Sequence, residues 1–369
     1  MHSFMKPLAV CFLLSQIALP LSVLGQQSQA AAPGPEVKTA EPKSSEKTAK
    51  EGHPAATYQE DFAALPLEKN HLTAEIPVIG ERDDTPGKPF IRERWQVMWR
   101  PGDPLDLYIV KPRGVEKPPV ILYLYSYPQD TERFTQDYWC GQTTGMGFAA
   151  VGFVSAVTGH RLEYRSPKDD FFNQLPEALG ATVHDVQMIL NYLASRNDLD
   201  MSRVGIFGQG SGGSIAILAS AVDPRIKALD VLTPWGDWPI FLAQSHIVPQ
   251  EDRQQINKPE FLEKVAGLDP LQWFPKVKAQ SVRIQDVRRD GYTPDAAQAL
   301  MEAAAPETAE IDQFGDTAAL VPMAGNGRLL EWLTSQLRPN AKPQVALDKS
   351  QRTHVFPARM PADPLGTTP

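Results

Sequence analysis

The sequence predicts an α/β fold in which a mostly parallel sheet carries helices on both faces. Three observations point there. Runs such as "VILYLY" (Val120–Tyr125) and "VGIF" (Val204–Phe207) have the unbroken apolar character of strands covered on both sides. Between such runs, "ATVHDVQMILNYLASR" places Val183, Val186, Leu190 and Leu193 on one face of a helix. The two kinds of segment then alternate from about residue 91 to 337, which is the pattern of repeated crossover units.

Taken in order, the chain opens with Lys6 and an uncharged run, "PLAVCFLLSQIALPLSVLG", from Pro7 to Gly25. This reads as an export signal over residues 1–25, removed to leave a periplasmic or secreted protein. Two prolines and several polar residues make it a poor membrane span, so no membrane association is expected once it is gone. Residues 26–57 are rich in Ala, Pro, Lys, Glu and Ser. They lack the apolar surface needed to offset ordering entropy and read as a disordered linker. A single domain is expected over 58–338, followed by a Pro-rich, extended tail over 339–369.

Within the domain, "IRERWQVMW" and "LDLYIVKP" flank the turn "RPGDP" and form a hairpin. Strands follow at "PPVILYLYSY", "FAAVGFVSAV", "RVGIFG", "IKALDVLT", "VRIQDV" and "AEIDQF". Helices are expected at "ATVHDVQMILNYLASR", "GGSIAILASAV", "PDAAQALMEAA" and "NGRLLEWLTSQL". The stretch 235–280, after "IKALDVLT", the sixth strand when the hairpin's two are counted, breaks the alternation and is aromatic, with Trp235, Trp238, Phe241, Phe261, Trp273 and Phe274. Insertions at that level commonly form lids.

Bulk properties exclude several functions. A net charge of −8 argues against nucleic acid, which demands a concentrated basic surface. Of the two cysteines, Cys11 leaves with the signal, so Cys140 has no internal partner and reads as a small buried residue. No Cys/His cluster has metal-ligand spacing, and neither a metal nor an organic cofactor is expected.

Three stretches, "HDVQMILNYLASRNDLDMSRVGIFGQGSGG", "DPRIKALDVLTPWGD" and "RRDGYTPDAAQAL", resemble the α/β-hydrolase superfamily, in particular its dienelactone-hydrolase and acetylxylan-esterase-like branch. The resemblance implies carboxylic-ester hydrolysis by a nucleophile–histidine–acid triad, the nucleophile standing on a strained strand-to-helix turn, Gly-x-Ser-x-Gly. Anchored on the strand "VGIF", that pattern puts small residues at Gly208 and Gly212 and puts Gly210 at the nucleophile's place. Asp290 matches the acid. The histidine's place is held by Asp316, and the loop that supplies an oxyanion-hole amide reads Tyr125-Ser126-Tyr127-Pro128. These residues, with Gly210 and Gly212, are the expected pocket.

Three readings follow. The first is an exported hydrolase-fold protein with impaired or lost serine-triad catalysis that keeps a pocket for a small ester or carbohydrate-derived ligand. The second is an active serine esterase using Ser211, Asp290 and His354, with His246 and His160 as other imidazole donors. The third is a dinucleotide-binding protein, since Gly208, Gly210 and Gly213 satisfy G-x-G-x-x-G and Asp230 follows at the distance of a ribose-binding acid.

Overall fold

A computed structural model describes residues 60–70, 72, 75–127, 131–157, 161, 172–325 and 328–358. The export signal and linker assigned to residues 1–57 lie outside the described residues, and the described elements belong to the unit Tyr58–Pro369.

Among the described residues, ten strands form one sheet: β1 (Glu75–Asp83), β2 (Phe90–Met98), β3 (Leu105–Pro112), β4 (Pro119–Leu124), β5 (Ala149–Phe153), β6 (Asp200–Gln209), β7 (Ile226–Leu232), β8 (Ser281–Val287), β9 (Glu310–Phe314) and β10 (Thr353–Phe356). Their spatial order is β1-β2-β3-β5-β4-β6-β7-β8-β9-β10. The expected hairpin is β2–β3, with Arg94 opposite Tyr108. β1 adds an antiparallel strand outside it, and β3 pairs antiparallel with β5. From β5 to β10 every pairing is parallel. Strands β3, β4, β5 and β8 are buried along their whole length, as their continuous apolar runs require.

The helices are α1 (Asp137–Thr144), α2 (Leu175–Ser195), α3 (Ser211–Val222), α4 (Trp238–Gln244), α5 (Gln250–Ile256), α6 (Pro259–Ala266), α7 (Pro270–Trp273), α8 (Asp295–Ala304), α9 (Thr317–Gly325), α10 (Arg328–Gln336) and α11 (Lys349–Arg352). The aromatic stretch after β7 folds into α4–α7, with Trp235, Trp238, Phe241 and Phe274 buried. Asp237 caps α4 by accepting the Ile240 amide at 3.0 Å. The C-terminal tail is not extended throughout, because the short helix α11 interrupts it before the strand β10.

Helix α2 is buried even on faces that a surface helix leaves wet, because residues 60–70 pack over it. The Gln187 side chain donates to the Leu65 carbonyl at 2.8 Å. At the centre of this contact Asp185 is fully buried, accepting from the Trp99 indole at 2.7 Å, from Arg161 at 2.8 Å and from Arg100. Arg100 in turn binds Glu60 at 2.6 Å, and Arg161 binds Asp103 at 2.8 Å. Burial opposes the Asp185 charge, but Arg100 and Arg161 outweigh it and hold its carboxyl well below the usual carboxylate range.

Removing one member of such a cluster strands the opposite charges, at a cost of about 3–5 kcal/mol. Asp185→Asn therefore lowers unfolding free energy by that order in urea titrations at pH 7. Because the folded carboxyl titrates below the unfolded one, the gap persists as pH falls and begins to close only below about pH 4. A loss under 1 kcal/mol at pH 7 contradicts this account.

Candidate functional site

The site is built where β6 turns into α3. Strand and helix cross so closely at this turn that side chains are excluded. A Cβ on Gly208 would stand 2.7 Å from the Gly213 Cα, and one on Gly212 would stand 2.7 Å from the Tyr125 carbonyl oxygen. Between them Gly210 adopts φ 52°, ψ −119°, the left-handed strained turn on which hydrolases mount a nucleophile. The register anchored on the strand is thus the one the backbone adopts.

The space over Gly210 is taken. A Cβ there would lie 2.8 Å from the Ser126 Cβ and 3.1 Å from the Trp235 Nε1, with the Ser126 hydroxyl closer still. Trp235 is brought in by the turn after β7, which is stitched to the elbow. The Gly210 amide donates to the Leu232 carbonyl at 3.0 Å, and the Trp235 amide donates to the Gly210 carbonyl at 3.3 Å. The Ser214 hydroxyl donates to the Trp235 carbonyl at 2.8 Å. Stacking on Phe241 at 4.7 Å fixes the indole from behind.

Ser211 is completely buried as the first residue of α3. Its hydroxyl accepts the Tyr127 amide at 2.8 Å. It is aimed into the β4 loop, and it occupies an amide that the loop would otherwise offer to a ligand oxygen. Neither Ser126 nor Ser211 hydrogen-bonds an imidazole among the described residues. Tyr125 is buried beneath the Arg133 guanidinium, 4.7 Å from its ring, and burial pushes its phenol up to about 12.

The structure does not bring Ser211, Asp290 and His354 together. His354 lies in β10, where its Nδ1 is 2.9 Å from Asp312 and its side chain is half exposed. Four strand spacings of about 4.8 Å put β10 roughly 19 Å from β6. Asp316 follows β9 directly and caps α9, accepting the Ala319 amide at 2.8 Å. The C-terminal chain closes over that corner, with Gly315 donating to the Phe356 carbonyl at 2.7 Å. His246 is exposed beside Gly291, its amide donating to the Gly291 carbonyl at 3.0 Å. His160 lies outside the described residues.

The dinucleotide reading is overturned. Gly208 lies near the end of the sixth strand in chain order rather than the first, where that fingerprint belongs, and Asp230 is fully buried, bound by Arg283 at 2.7 and 3.0 Å and by Gln285 at 2.9 Å. A ribose cannot reach that carboxylate.

Asp290 stands in the loop after β8. One carboxylate oxygen accepts the Tyr292 and Thr293 amides at 2.9 and 3.0 Å. Burial, which those amides only partly offset, raises its pKa to about 6. Sequence reasoning placed Trp235 only among lid aromatics. Its nearness in the chain to the end of β7 was the one available signal of its position.

No protein-family model matches the chain. Among solved structures it superposes on an acetyl xylan esterase from Paenibacillus sp. R4, with a TM-score of 0.54, 18% identity, and 71% of this chain and 90% of that one covered. Acetyl xylan esterase 1 from Thermoanaerobacterium sp. JW/SL YS485 gives 0.51 at 14% identity, covering 68% and 83%. The 2,6-dihydroxy-pseudo-oxynicotine hydrolase gives 0.52 at 17% identity, covering 69% of each. The chain has the α/β-hydrolase fold. Sequence relatives cover less: the acyltransferase drtE of Aspergillus calidoustus is 26% identical over 125 residues, and YtaP of Bacillus subtilis (strain 168), named as a hydrolase, is 26% identical over 136. The matches span 30% and 32% of this chain, and 41% and 45% of those relatives. The hydrolase fold therefore stands on the superpositions and the strand order.

The raised Asp290 pKa has a stability signature. A carboxyl protonated more readily in the folded than in the unfolded chain loses stability as pH rises from about 4 through 6. Asp290→Asn keeps an acceptor for both amides and removes that cost. It should be more stable than wild type by on the order of 2 kcal/mol at pH 7, and equal to it below about pH 4. Denaturant titrations across that range check this, and a pH-independent difference contradicts it.

Proposed function

We propose that this hydrolase-fold chain is an exported protein that holds a small ester or carbohydrate-derived ligand without serine-triad catalysis. The observation that carries the reading is Gly210 in the nucleophile's backbone conformation, with Ser126 and Trp235 filling the space a nucleophilic side chain would use. Loss of a nucleophile alone costs on the order of a million-fold in turnover. The second support is the far corner, where Asp316 is a helix cap and β10 covers the strand from which an imidazole would come. The ligand class follows from the similarity to acetyl xylan esterases. Export rests on the uncharged run Pro7–Gly25.

An activity-based fluorophosphonate probe tests the reading. The purified chain is expected to remain unlabelled, and its turnover of p-nitrophenyl acetate should be unchanged by Ser126→Ala or Ser211→Ala. Labelling that either substitution abolishes, together with its ester turnover, replaces this reading with that of an active esterase. Gly210→Ser alone should not install labelling, because its Cβ meets Ser126.

A further inference from the structure

We propose that Asp286 keeps its proton at neutral pH and donates it to Glu302, and that this acid pair is a pH-sensitive latch on the loop that carries Asp290. Asp286, near the end of β8, is fully buried, and among the described residues no N–H or hydroxyl donates to either of its oxygens. An ionised carboxylate without donors in the interior is costly, so the group stays neutral. The geometry names the acceptor of its proton. Asp286 stands opposite Gln313 in the β8–β9 pairing, and the Gln313 amide donates to one Glu302 oxygen at 2.7 Å. Arg288, two residues on and so on the same side of the chain, donates to the other Glu302 oxygen at 2.5 Å. The Glu302 carboxylate, buried on α8, is thus held between the two neighbours of Asp286 and within its hydrogen-bond reach.

The charged groups that act on Asp286 are Glu302 from α8 and Arg288 and Asp290 from the loop after β8. Asp230 of β7 and Asp312 of β9 instead bind Arg283, which points to the opposite face, three residues before Asp286. Burial and then the Glu302 charge push the Asp286 carboxyl well above the usual carboxylate range, against a weaker pull from Arg288. The same pair fastens the acid loop. Glu302 holds the Arg288 guanidinium, whose other terminal nitrogen donates to the Gln298 side chain at 2.9 Å. The Gln298 amide in turn donates to the Val287 and Thr293 carbonyls, each at 2.9 Å, one on either side of Asp290. When hydroxide takes the Asp286 proton, two carboxylates are left facing each other in a buried site. Their repulsion parts Glu302 from Arg288 and loosens the loop that Arg288 and Gln298 fasten.

Carbon-13 NMR of the aspartate carboxyl groups in the full chain tests the pair. The Asp286 signal is identified by its loss in Asp286→Asn or, should that variant not fold, by its displacement in Glu302→Gln. It should keep the shift of a protonated acid from about pH 5 to 8, where ordinary Asp side chains are ionised. Glu302→Gln, which offers Asp286 a donor, should return its titration towards the ordinary range. Urea unfolding reads the linkage. A carboxyl protonated only in the folded chain costs about tenfold in the folding constant for each pH unit above about 4. In an Asp290→Asn background, which removes the share of Asp290, the chain with Asp286 should lose stability at that rate against its Asp286→Asn counterpart. The latch is read from amide exchange at Tyr292 and Thr293, which donate to Asp290, after correction for base catalysis. Above about pH 8 their protection should fall by about tenfold as Asp286 titrates, and should hold in Asp286→Asn. An Asp286 carboxyl ionised at pH 7, or a stability difference independent of pH, overturns the pair. Protection that follows pH alike with and without Asp286→Asn overturns the latch.

Discussion

Close passage of β6 against α3 is the constraint from which the rest of the site follows. Backbone atoms of Gly213 and Tyr125 stand where Cβ atoms of Gly208 and Gly212 would be, so those positions admit no side chain. The turn between them is forced into the left-handed region at Gly210. In a hydrolase that strain serves to lift a nucleophile above the sheet. Here the same turn carries Gly210, which has no side chain.

Two neighbouring elements approach Gly210 closely. The β4 loop advances Ser126 over the glycine, and the turn after β7 advances Trp235. That second turn is itself strained, with Thr233 and Asp237 at φ 44° and 52°. Hydrogen bonds to Gly210, Ser214 and the β8 residue Gln285 hold it. The Thr293 hydroxyl, donating to the Thr233 carbonyl at 3.1 Å, links it to the Asp290 loop. The elbow, the β7 turn and the acid loop therefore form one hydrogen-bonded assembly. Asp290 is a partly buried carboxyl that accepts two backbone amides.

Much of this was legible in the sequence, and what was not has physical reasons. The crossover pattern, the β2–β3 hairpin, the elbow register and Asp290 all follow from local features: apolar runs, turn residues and small residues at fixed offsets. β1 escaped because "EIPVIGERD" mixes charge and proline with its apolar residues. β10 escaped because four residues inside a Pro-rich tail carry too little pattern to signal a strand. His354 is linked to the site by chain order alone, which says nothing of the three strands, β7, β8 and β9, that separate β10 from β6. Trp235 reads as one more lid aromatic until the Thr233–Asp237 turn, whose positive φ angles fall on residues that do not advertise them, swings its N–H towards Gly210.

The most direct measurement is a double-mutant stability cycle across Gly210 and Ser126. Gly210→Ala adds a methyl group where Ser126 already stands, so its cost should fall substantially when combined with Ser126→Gly, giving a coupling of about 1–2 kcal/mol in urea unfolding. If Gly210→Ala is instead neutral, or costs the same with and without Ser126, the two residues do not compete for the elbow and the account of an occupied nucleophile post fails.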